Sequence, residues 1–407
     1  MPSPASRPAP PAHRHVTDAE RRARLVTRHR LAPAVRTDDV VTVADDLVAL
    51  HSTDPVTVYL SVAARMATPA LGAVDAALHD DRTLLRHHAM RRTLWVVGRE
   101  HASLVHHAAT VDVAAVQRRD LLRQAAAAGL GDPVAWYAGA ADRVLGLLAA
   151  QGPTAARDVG TALPDLAAQQ LVLPGGGPQP AHTRVLLVLG FEGRVLRARP
   201  LGTWINGQYR WAAAHDWVPG GIADVGGPEP RRTAAAGLAR AHLHAFGPVT
   251  RDDLRWWAGW TVAVTRTALD DVGAVPVTLD GGATGYLLPD DLEPVPDPGR
   301  SVALLPSLDP TTMGWKARDW YLDPVHAPQL FDRNGNGGPA IWVDGAVAGT
   351  WVQRPDGTLA TRLFTRLDAA ARREVDAAAE RLRALLGDVR FRARFPAPVQ
   401  AELLAGG

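Results

Sequence analysis

Residues 247–289, GPVTRDDLRWWAGWTVAVTRTALDDVGAVPVTLDGGATGYLLP, contain the order of signals that decides the fold. Thr250 follows a Gly-Pro-Val turn and is a typical N-cap for a first helix. A Gly-Trp-Thr break precedes a second helix, and the residues after it alternate around a Gly-Gly turn as two strands do. Helix, turn, helix and two-stranded ribbon in this order predict a winged helix-turn-helix, whose second helix is the candidate recognition helix.

Related signals occur twice more along the chain. Residues 152–159, GPTAARDV, resemble GPVTRDDL, and they lie between a helical stretch at 134–150 and a helix with a possible wing. Near the amino terminus, two helical stretches within residues 17–50 lead into HSTDP, a further short helix and an alternating ribbon. The predicted fold is therefore mainly α with α+β modules: three tandem winged helix-turn-helix domains plus a small C-terminal β element.

These signals divide the 407 residues into five parts. We expect a disordered tail over residues 1–16, winged helix 1 over 17–110, winged helix 2 over 111–228, winged helix 3 over 229–299, and a C-terminal β element with a terminal helix over 300–407.

The C-terminal element has its own local signals. The phrase VDGAV predicts a β-hairpin, because Asp-Gly favours a tight two-residue turn. Residues 367–386 have the pattern of an amphipathic helix, and residues 389–396, VRFRARFP, are expected to form one more strand.

Composition excludes several kinds of site. The chain has no cysteine, which excludes disulfides, thiolate zinc sites and cysteine nucleophiles. It has no run of about 18 apolar residues, so no membrane span is predicted, and its Pro- and Ala-rich start lacks the apolar segment of a signal peptide. We expect a cytoplasmic, nucleoid-associated protein.

Lys316 is the one lysine, so arginine carries nearly all the positive charge. The planar guanidinium of arginine can bind two phosphate oxygens at once.

A dense polar cluster, HSTDP at residues 51–55, separates two apolar helical stretches. Pro55 suits the first turn of a helix, and Thr53 or Asp54 suits its N-cap. Taken alone, the cluster predicts a helix start, with His51 as a hydrogen-bonded core or surface histidine.

Several phrases in a fixed order resemble a known family. They are LHSTDPVTVYLSVAARM, MRRTLWVV, RVLRARPLGTWINGQYRWA, HAFGPVTRDDLRWWAG, ALLPSLDP and VDGAVAGTW. Together they resemble the winged-helix DNA-binding proteins of the AlkZ/YcaQ-like bacterial DNA glycosylase family. The resemblance implies three tandem winged helices and a C-terminal β element arranged as a C around duplex DNA. It also implies excision of alkylated or bulky purine adducts with no metal and no redox cofactor.

The resemblance places the candidate catalytic residues at His51, Thr53 and Asp54. The family glycosylases carry Gln-x-Gln or Gln-x-Asp just before the Asp-Pro turn, whereas His51 and Thr53 occupy those two positions here. Hydrolysis of an N-glycosidic bond needs a held water and stabilisation of an oxocarbenium-like centre. His51 could accept a proton from that water if its pKa stays near neutrality. Thr53 could hold the water and Asp54 could supply negative charge, or either residue only caps the helix.

Six residues are predicted to contact double-stranded DNA, possibly alkylated: Arg65, Arg91, Arg92, Gln208, Tyr209 and Arg210. Arg91 and Arg92 precede a strand, where they either hold phosphates from the first wing or form a solvated strand end. The cluster GQYRWA at 207–212 can stack on bases or clamp a phosphate, or it packs between domains. Three tryptophans are expected in the core: Trp256, Trp257 and Trp260.

No metal, cofactor, membrane or protein partner is predicted. The pairs His87-His88 and His106-His107 lack a carboxylate at a ligand spacing, and adjacent strand residues point to opposite faces. Two functions remain open, a DNA repair glycosylase and a non-enzymatic winged-helix DNA binder. The binder would be a regulator or lesion sensor that has lost the Gln-x-Gln or Gln-x-Asp pair. An unrelated hydrolytic activity in the same cleft is a third.

Overall fold

The computed structural model describes residues 14–172, 175–222 and 230–405 and contains helices together with five small β-sheets. Residues 1–13 of the predicted disordered tail lie outside the described residues. The last two residues of that tail form strand β1 (His15–Val16), which pairs in parallel with Thr278–Leu279. The prediction of disorder is wrong for these two residues, because a sheet edge supplies partners for their backbone polar groups.

Helix α1 (Asp18–Arg28) follows β1, and unit 1 comprises the next six elements. They are α2 (Val40–Asp46), β2 (Leu50–His51), α3 (Pro55–Ala63), α4 (Leu71–His79), β3 (Leu84–His88) and β4 (Leu94–Gly98). Asp39 and Asp54 cap α2 and α3 by accepting backbone N–H groups of the first turns. The three helices enclose a small apolar core that includes Val43, Leu50, Val58, Val62, Val74 and Val96.

Unit 2 follows a short helix, α5 (Ala102–Val105), and a π-helical turn at His106–Thr110. Its helices are α6 (Val111–Ala127), α7 (Pro133–Gln151), α8 (Ala156–Ala162), α9 (Pro164–Ala168), α10 (Ala181–Phe191) and α11 (Ala214–Trp217). Its strands are β5 (Thr154–Ala155), β6 (Gln170–Val172), β7 (Pro178–Pro180), β8 (Val195–Pro200) and β9 (Tyr209–Ala213).

Unit 3 is the segment on which the sequence signals are clearest. It comprises α12 (Arg231–Phe246), α13 (Arg251–Ala258), α14 (Val262–Asp271), β10 (Val275–Leu279) and β11 (Thr284–Leu287). Thr250 caps α13 in a capping box with Asp253, and Gly259 ends that helix in a left-handed conformation.

The three units share one strand order. In unit 1 the short strand β2 pairs with the last strand β4, which pairs with β3; in unit 2 the order is β5, β9, β8. In unit 3, Val249 forms a bridge to Tyr286 of β11, which pairs with β10. This recurrence agrees with the sequence repeat. That each unit is a winged helix, with the boundaries given above, stays a prediction.

Helix α1 lies within the range predicted for winged helix 1 but forms hydrogen bonds with later parts of the chain. Arg24 donates to the Asp291 carboxylate at 2.8 Å, and Arg22 donates to the Trp320 carbonyl at 2.8 Å. Arg28 donates to the Gly247 carbonyl at 3.1 Å. These three partners lie more than 200 residues further along the chain. The start of unit 1 at residue 17 stays a prediction.

The C-terminal element contains a four-stranded antiparallel sheet in the order β12 (Val302–Leu305), β13 (Ala340–Val343), β14 (Ala346–Gln353) and β15 (Leu359–Leu363). Asp344 and Gly345 link β13 to β14 with φ of 50° and 77°, which confirms the hairpin predicted from VDGAV. Its helices are α15 (Pro310–Met313), α16 (Ala327–Leu330), α17 (Ala369–Leu386) and α18 (Gln400–Ala405).

The strand expected at residues 389–396 is not formed. The backbone N–H groups of Phe391 and Arg394 donate to the side chains of Gln353 and Asp54 instead of to a neighbouring strand. The segment therefore crosses from the C-terminal sheet to the start of α3, and this irregular path brings it to the candidate site.

Candidate active site

The HSTDP turn joins the end of β2 to the start of α3. The His51 ring is 4% exposed and packs against the indole of Trp95 on β4, with ring centroids 4.6 Å apart. Its Nδ1 accepts the Thr53 backbone N–H at 3.4 Å, so the ring also holds the turn. His51 is thus part of the packing of unit 1 as well as a member of the polar cluster.

The protonation state of His51 follows from its surroundings. Burial, with a smaller contribution from the Arg91 guanidinium, lowers the pKa of His51 to about 3. The ring is therefore neutral at physiological pH. The condition set for His51 as a general base, a pKa near neutrality, is not met.

Ser52 is held by an arginine that sequence reasoning did not single out. Arg86 on β3 is 2% exposed, and its Nε donates to Ser52 Oγ at 2.8 Å. The same guanidinium lies 4.4 Å from the ring centroid of Tyr209 on β9 of unit 2. Arg86 therefore links the turn of unit 1 to the sheet of unit 2. The alternating ribbon RTLLRHH gave no signal for this contact.

Thr53 presents a hydroxyl group that has no hydrogen-bond partner among the described residues. Its Oγ1 is buried and forms no hydrogen bond there. Its carbonyl oxygen accepts Nη1 of Arg394 at 2.8 Å. Gly207 gives this arginine room, since a Cβ there would lie 2.7 Å from Arg394 Nη2. A buried hydroxyl without a partner costs free energy, so Thr53 Oγ1 is suited to hold a water or a substrate atom.

Both carboxylate oxygens of Asp54 are occupied by the protein. Oδ1 accepts the Val56 N–H at 3.1 Å, as an N-cap does, and Oδ2 accepts the Arg394 N–H at 2.8 Å and Ser307 Oγ at 3.4 Å. Burial raises the pKa of Asp54, and these hydrogen bonds oppose the rise. The capping interpretation of Asp54 is confirmed, and the carboxylate also anchors the C-terminal segment to the turn.

One face of α3 is bound to the loop Ser307–Asp309. Thr57 donates to the Ser307 carbonyl at 2.7 Å, and Ser61 donates to Asp309 Oδ2 at 2.6 Å. Arg65 donates to both oxygens of Asp309, at 2.9 and 2.8 Å. Residues spaced by four share one helix face, which explains why all three reach the same loop.

The DNA-binding prediction for Arg65 is wrong. Its side chain and that of Asp309 are 0% exposed, and the guanidinium donates further to the His29 and Ser61 carbonyls and to Thr311 Oγ1. Asp309 also caps α15 through the Thr311 N–H. The signal was present in the sequence, since Ser52-x-Asp54-Pro55 and Ser307-x-Asp309-Pro310 are matching capping strings that lie against the same helix.

A family model described as DNA glycosylase AlkZ-like matches residues 44–385, which include the turn, units 1 to 3 and most of the C-terminal element. The chain belongs to the AlkZ-like DNA glycosylase family. The solved structure of the Streptomyces sahachiroi DNA glycosylase AlkZ matches with a TM-score of 0.71 and 21% identity, and the match covers 94% of this chain and 99% of that chain. At that identity the likeness concerns the fold. No curated protein matches the chain.

The remaining predicted DNA contacts of this family member lie in two places. Arg91 and Arg92 occupy the tip between β3 and β4, both in the left-handed region, with φ of 54° and 63°. Arg92 is exposed, whereas Arg91 lies over the indole of Trp256, 4.4 Å from the ring centroid. Trp256 is half-buried, while Trp257 and Trp260 are buried as predicted.

The cluster at 207–212 lies between units 1 and 2. Gln208 is exposed and Arg210 is half-buried, with a long hydrogen bond of 3.4 Å to the Pro200 carbonyl. The Tyr209 ring is buried beneath Arg86, so its predicted contact with DNA is wrong and the packing alternative holds. An arginine stacked on the ring leaves that face unavailable to a base.

The histidine pairs serve packing. His87 and His88 point to opposite sides of β3: His87 Nε2 lies 3.1 Å from His106 Nδ1, and the His88 ring packs on Phe191. Within residues 14–172, 175–222 and 230–405 no group of three or more candidate metal ligands is found. In the same described ranges, no helix is both long and apolar enough to cross a membrane.

Proposed function

We propose that the chain is a DNA repair glycosylase that hydrolyses the N-glycosidic bond of alkylated or bulky purine adducts in duplex DNA. Three winged helices would hold the duplex, and the HSTDP turn would lie at the sugar. Membership of the AlkZ-like family supports DNA glycosylase chemistry. The proposal that the sugar lies at this turn rests on the buried Thr53 hydroxyl, which has no hydrogen-bond partner among the described residues. The neighbouring residues hold the turn in place.

The proposed roles follow from the geometry of the turn. Thr53 Oγ1 holds the attacking water. His51 stays neutral, so it places no positive charge beside an oxocarbenium-like transition state. Asp54 contributes the negative potential of its carboxylate while capping α3, without itself taking a proton. Purines alkylated at N3 or N7 are cationic and leave readily, so modest assistance is enough for them.

A second function is favoured by one observation. Among the described residues, the Asp54 carboxylate accepts its hydrogen bonds from groups of the protein, and His51 is a very weak base, so no strong base faces a water at the turn. A non-enzymatic DNA binder, acting as a regulator or lesion sensor, would retain the scaffold without chemistry. The two functions differ in whether base is released.

The test uses duplexes that contain 7-methylguanine or 3-methyladenine, with released base measured by chromatography under single-turnover conditions. Thr53→Val removes the hydroxyl while keeping the shape of the side chain, and we expect it to slow release roughly 100-fold. Thr365→Val, at an exposed position between β15 and α17, is the matched control and should release base at the wild-type rate. His51→Ala and Asp54→Asn report on the other two positions.

The outcomes separate the two functions. Release that depends on Thr53, with duplex binding retained in Thr53→Val, supports the glycosylase. Tight, salt-sensitive duplex binding without release from alkylated or bulky adducts supports the binder. Absence of both release and binding would overturn both.

A further inference from the structure

A continuous ladder of rings and guanidinium groups begins at His51. The His51 ring packs on Trp95, Arg91 lies between Trp95 and Trp256 at 5.9 and 4.4 Å from their ring centroids, and Arg318 follows. The Arg318 guanidinium is 5.6 Å from the Trp256 centroid and 3.8 Å from that of Phe331. The ladder therefore joins unit 1, unit 3 and the C-terminal element.

The two arginines of the ladder have no acidic partner. Among the described residues, neither Arg91 nor Arg318 has a carboxylate oxygen within 4.0 Å, although the chain has many arginine–carboxylate pairs elsewhere, such as Arg143 with Asp165. The Nε atoms of both arginines are buried without a hydrogen bond in the described residues. The Arg318 guanidinium donates to the Gly335 carbonyl at 3.4 Å and also interacts with the Tyr321 hydroxyl, so both of these partners are uncharged groups.

Keeping two such cations together opposes folding. Removing a guanidinium from water is costly, and stacking on an aromatic ring recovers only part of that cost. Burial and the Arg318 charge together lower the pKa of Arg91 to about 10. The backbone adds to the cost, because Arg91 and Arg92 are consecutive non-glycine residues at positive φ. An arrangement this unfavourable without a ligand suits a site completed by an anion.

We infer that Arg91 and Arg318, held on Trp256, form a binding site for a DNA phosphodiester that flanks the nucleotide at the HSTDP turn. The inference rests on the proposed function for the choice of anion. The planar fork of arginine matches two phosphate oxygens. Trp256 is already covered by guanidinium groups, so it positions the arginines and is not a platform for a base.

Phosphate binding at this site predicts a specific change in salt dependence. Binding of an undamaged duplex is measured by fluorescence anisotropy over a range of NaCl concentrations. Arg318→Gln and Arg91→Gln should each reduce the slope of log K against log salt by about 1 and weaken binding several-fold. Arg318→Lys keeps the charge and should keep the slope. Arg383→Gln, whose partner Glu380 lies on the exposed side of α17, is the matched control.

A second measurement locates the phosphate. Single methylphosphonates, which are neutral, are placed in turn along one strand of the duplex. One position should weaken wild-type binding but have no further effect on Arg318→Gln. Thermal melts confirm that each variant is folded.

The result that overturns the inference is an unchanged salt slope in both glutamine variants, or weakening that is equal at every methylphosphonate position for wild type and variant. These assays need no catalysis, so a protein that binds through Arg91 and Arg318 but releases no base refutes only the glycosylase. A wild-type protein that binds no duplex refutes both proposals.

Discussion

Arg65 and Arg91 carry the same guanidinium group in opposite circumstances. Arg65 is fully buried, and its guanidinium nitrogens all donate hydrogen bonds, to Asp309, two carbonyl groups and a hydroxyl. Arg91 lies on aromatic rings with a buried Nε that has no partner in the described residues. The sequence alone predicted both arginines as DNA contacts, because residue type does not show whether a carboxylate from a distant loop pairs with the side chain. The partner of Arg65 is 244 residues away.

Breaking the buried ion pair should be costly. Arg65→Met leaves the Asp309 carboxylate buried without its cation, so we expect the free energy of unfolding to fall by about 3–5 kcal/mol. Urea denaturation followed by circular dichroism measures it. The double variant Arg65→Met/Asp309→Asn should recover part of the loss, because the uncompensated charge is gone. Arg143→Met, in an exposed pair with Asp165, should leave the midpoint nearly unchanged. Equal midpoints for Arg65→Met and wild type would contradict the prediction.

The pH dependence of base release reports on His51. A ring with a pKa of about 3 stays neutral from about pH 6 to 8.5, so the single-turnover rate should not change with a pKa near 6.5. A rate that rises through that range in wild type, and is flat in His51→Asn, would instead give His51 the role of a base. The measurement is a rate profile in buffers of constant ionic strength.

Among the elements, local signals predicted what lies close in sequence. The caps at Asp54 and Thr250, the hairpin at 344–345 and the helix-turn-helix of unit 3 follow from side chains that bond within a few residues. The irregular path of residues 389–396 and the placement of α1 depend on partners hundreds of residues away. Neither periodicity nor propensity contains that information, so the polar shell around the HSTDP turn could be predicted only in part.

The attachment of α1 depends on Asp291, whose carboxylate accepts from both Arg24 and Arg28. Asp291→Asn removes the charge that buried Arg24 and half-buried Arg28 share. We expect amide hydrogens of α1 to exchange faster by roughly tenfold or more, consistent with losing a hydrogen bond to a charged group. Hydrogen exchange with mass spectrometry compares α1 with α7. Asp158→Asn on exposed α8 is the control, and unchanged exchange in α1 would show that apolar contacts alone hold the helix.

For the molecule as a whole, buried histidines set the response to acid. Within the part of the chain that the structure describes, eight histidines are buried with lowered pKa, chiefly through desolvation: His29, His51, His79, His87, His88, His106, His182 and His242. The unfolded chain takes up these protons below a pKa of about 6.5. In the folded chain the pKa is about 3 to 4 at His51, His79, His88, His106 and His242. Their contribution to stability is complete above pH 6.5 and is lost as the pH falls.

The melting temperature should therefore fall steeply between about pH 6.5 and 4. Burial raises the pKa of Asp54. A raised carboxyl pKa acts against the effect of the histidines, so it slightly reduces the fall in melting temperature. His88→Phe removes one such site and should reduce the slope of unfolding free energy by up to about 1.4 kcal/mol per pH unit. His215→Phe, at an exposed position, should leave it unchanged. A melting temperature that is the same at pH 5 and 7.5 would contradict this account.

The position of α1 has a consequence for how the protein is made. A chain emerges from the ribosome amino terminus first, and its early parts fold as they emerge. The partners of Arg24 lie 267 residues further along, so α1 leaves the ribosome long before Asp291 exists. Throughout that interval Arg24 and Arg28 of α1 lack the carboxylate that they share in the folded protein. The first helix to be synthesised is thus fully anchored only after unit 3 and Asp291 have emerged.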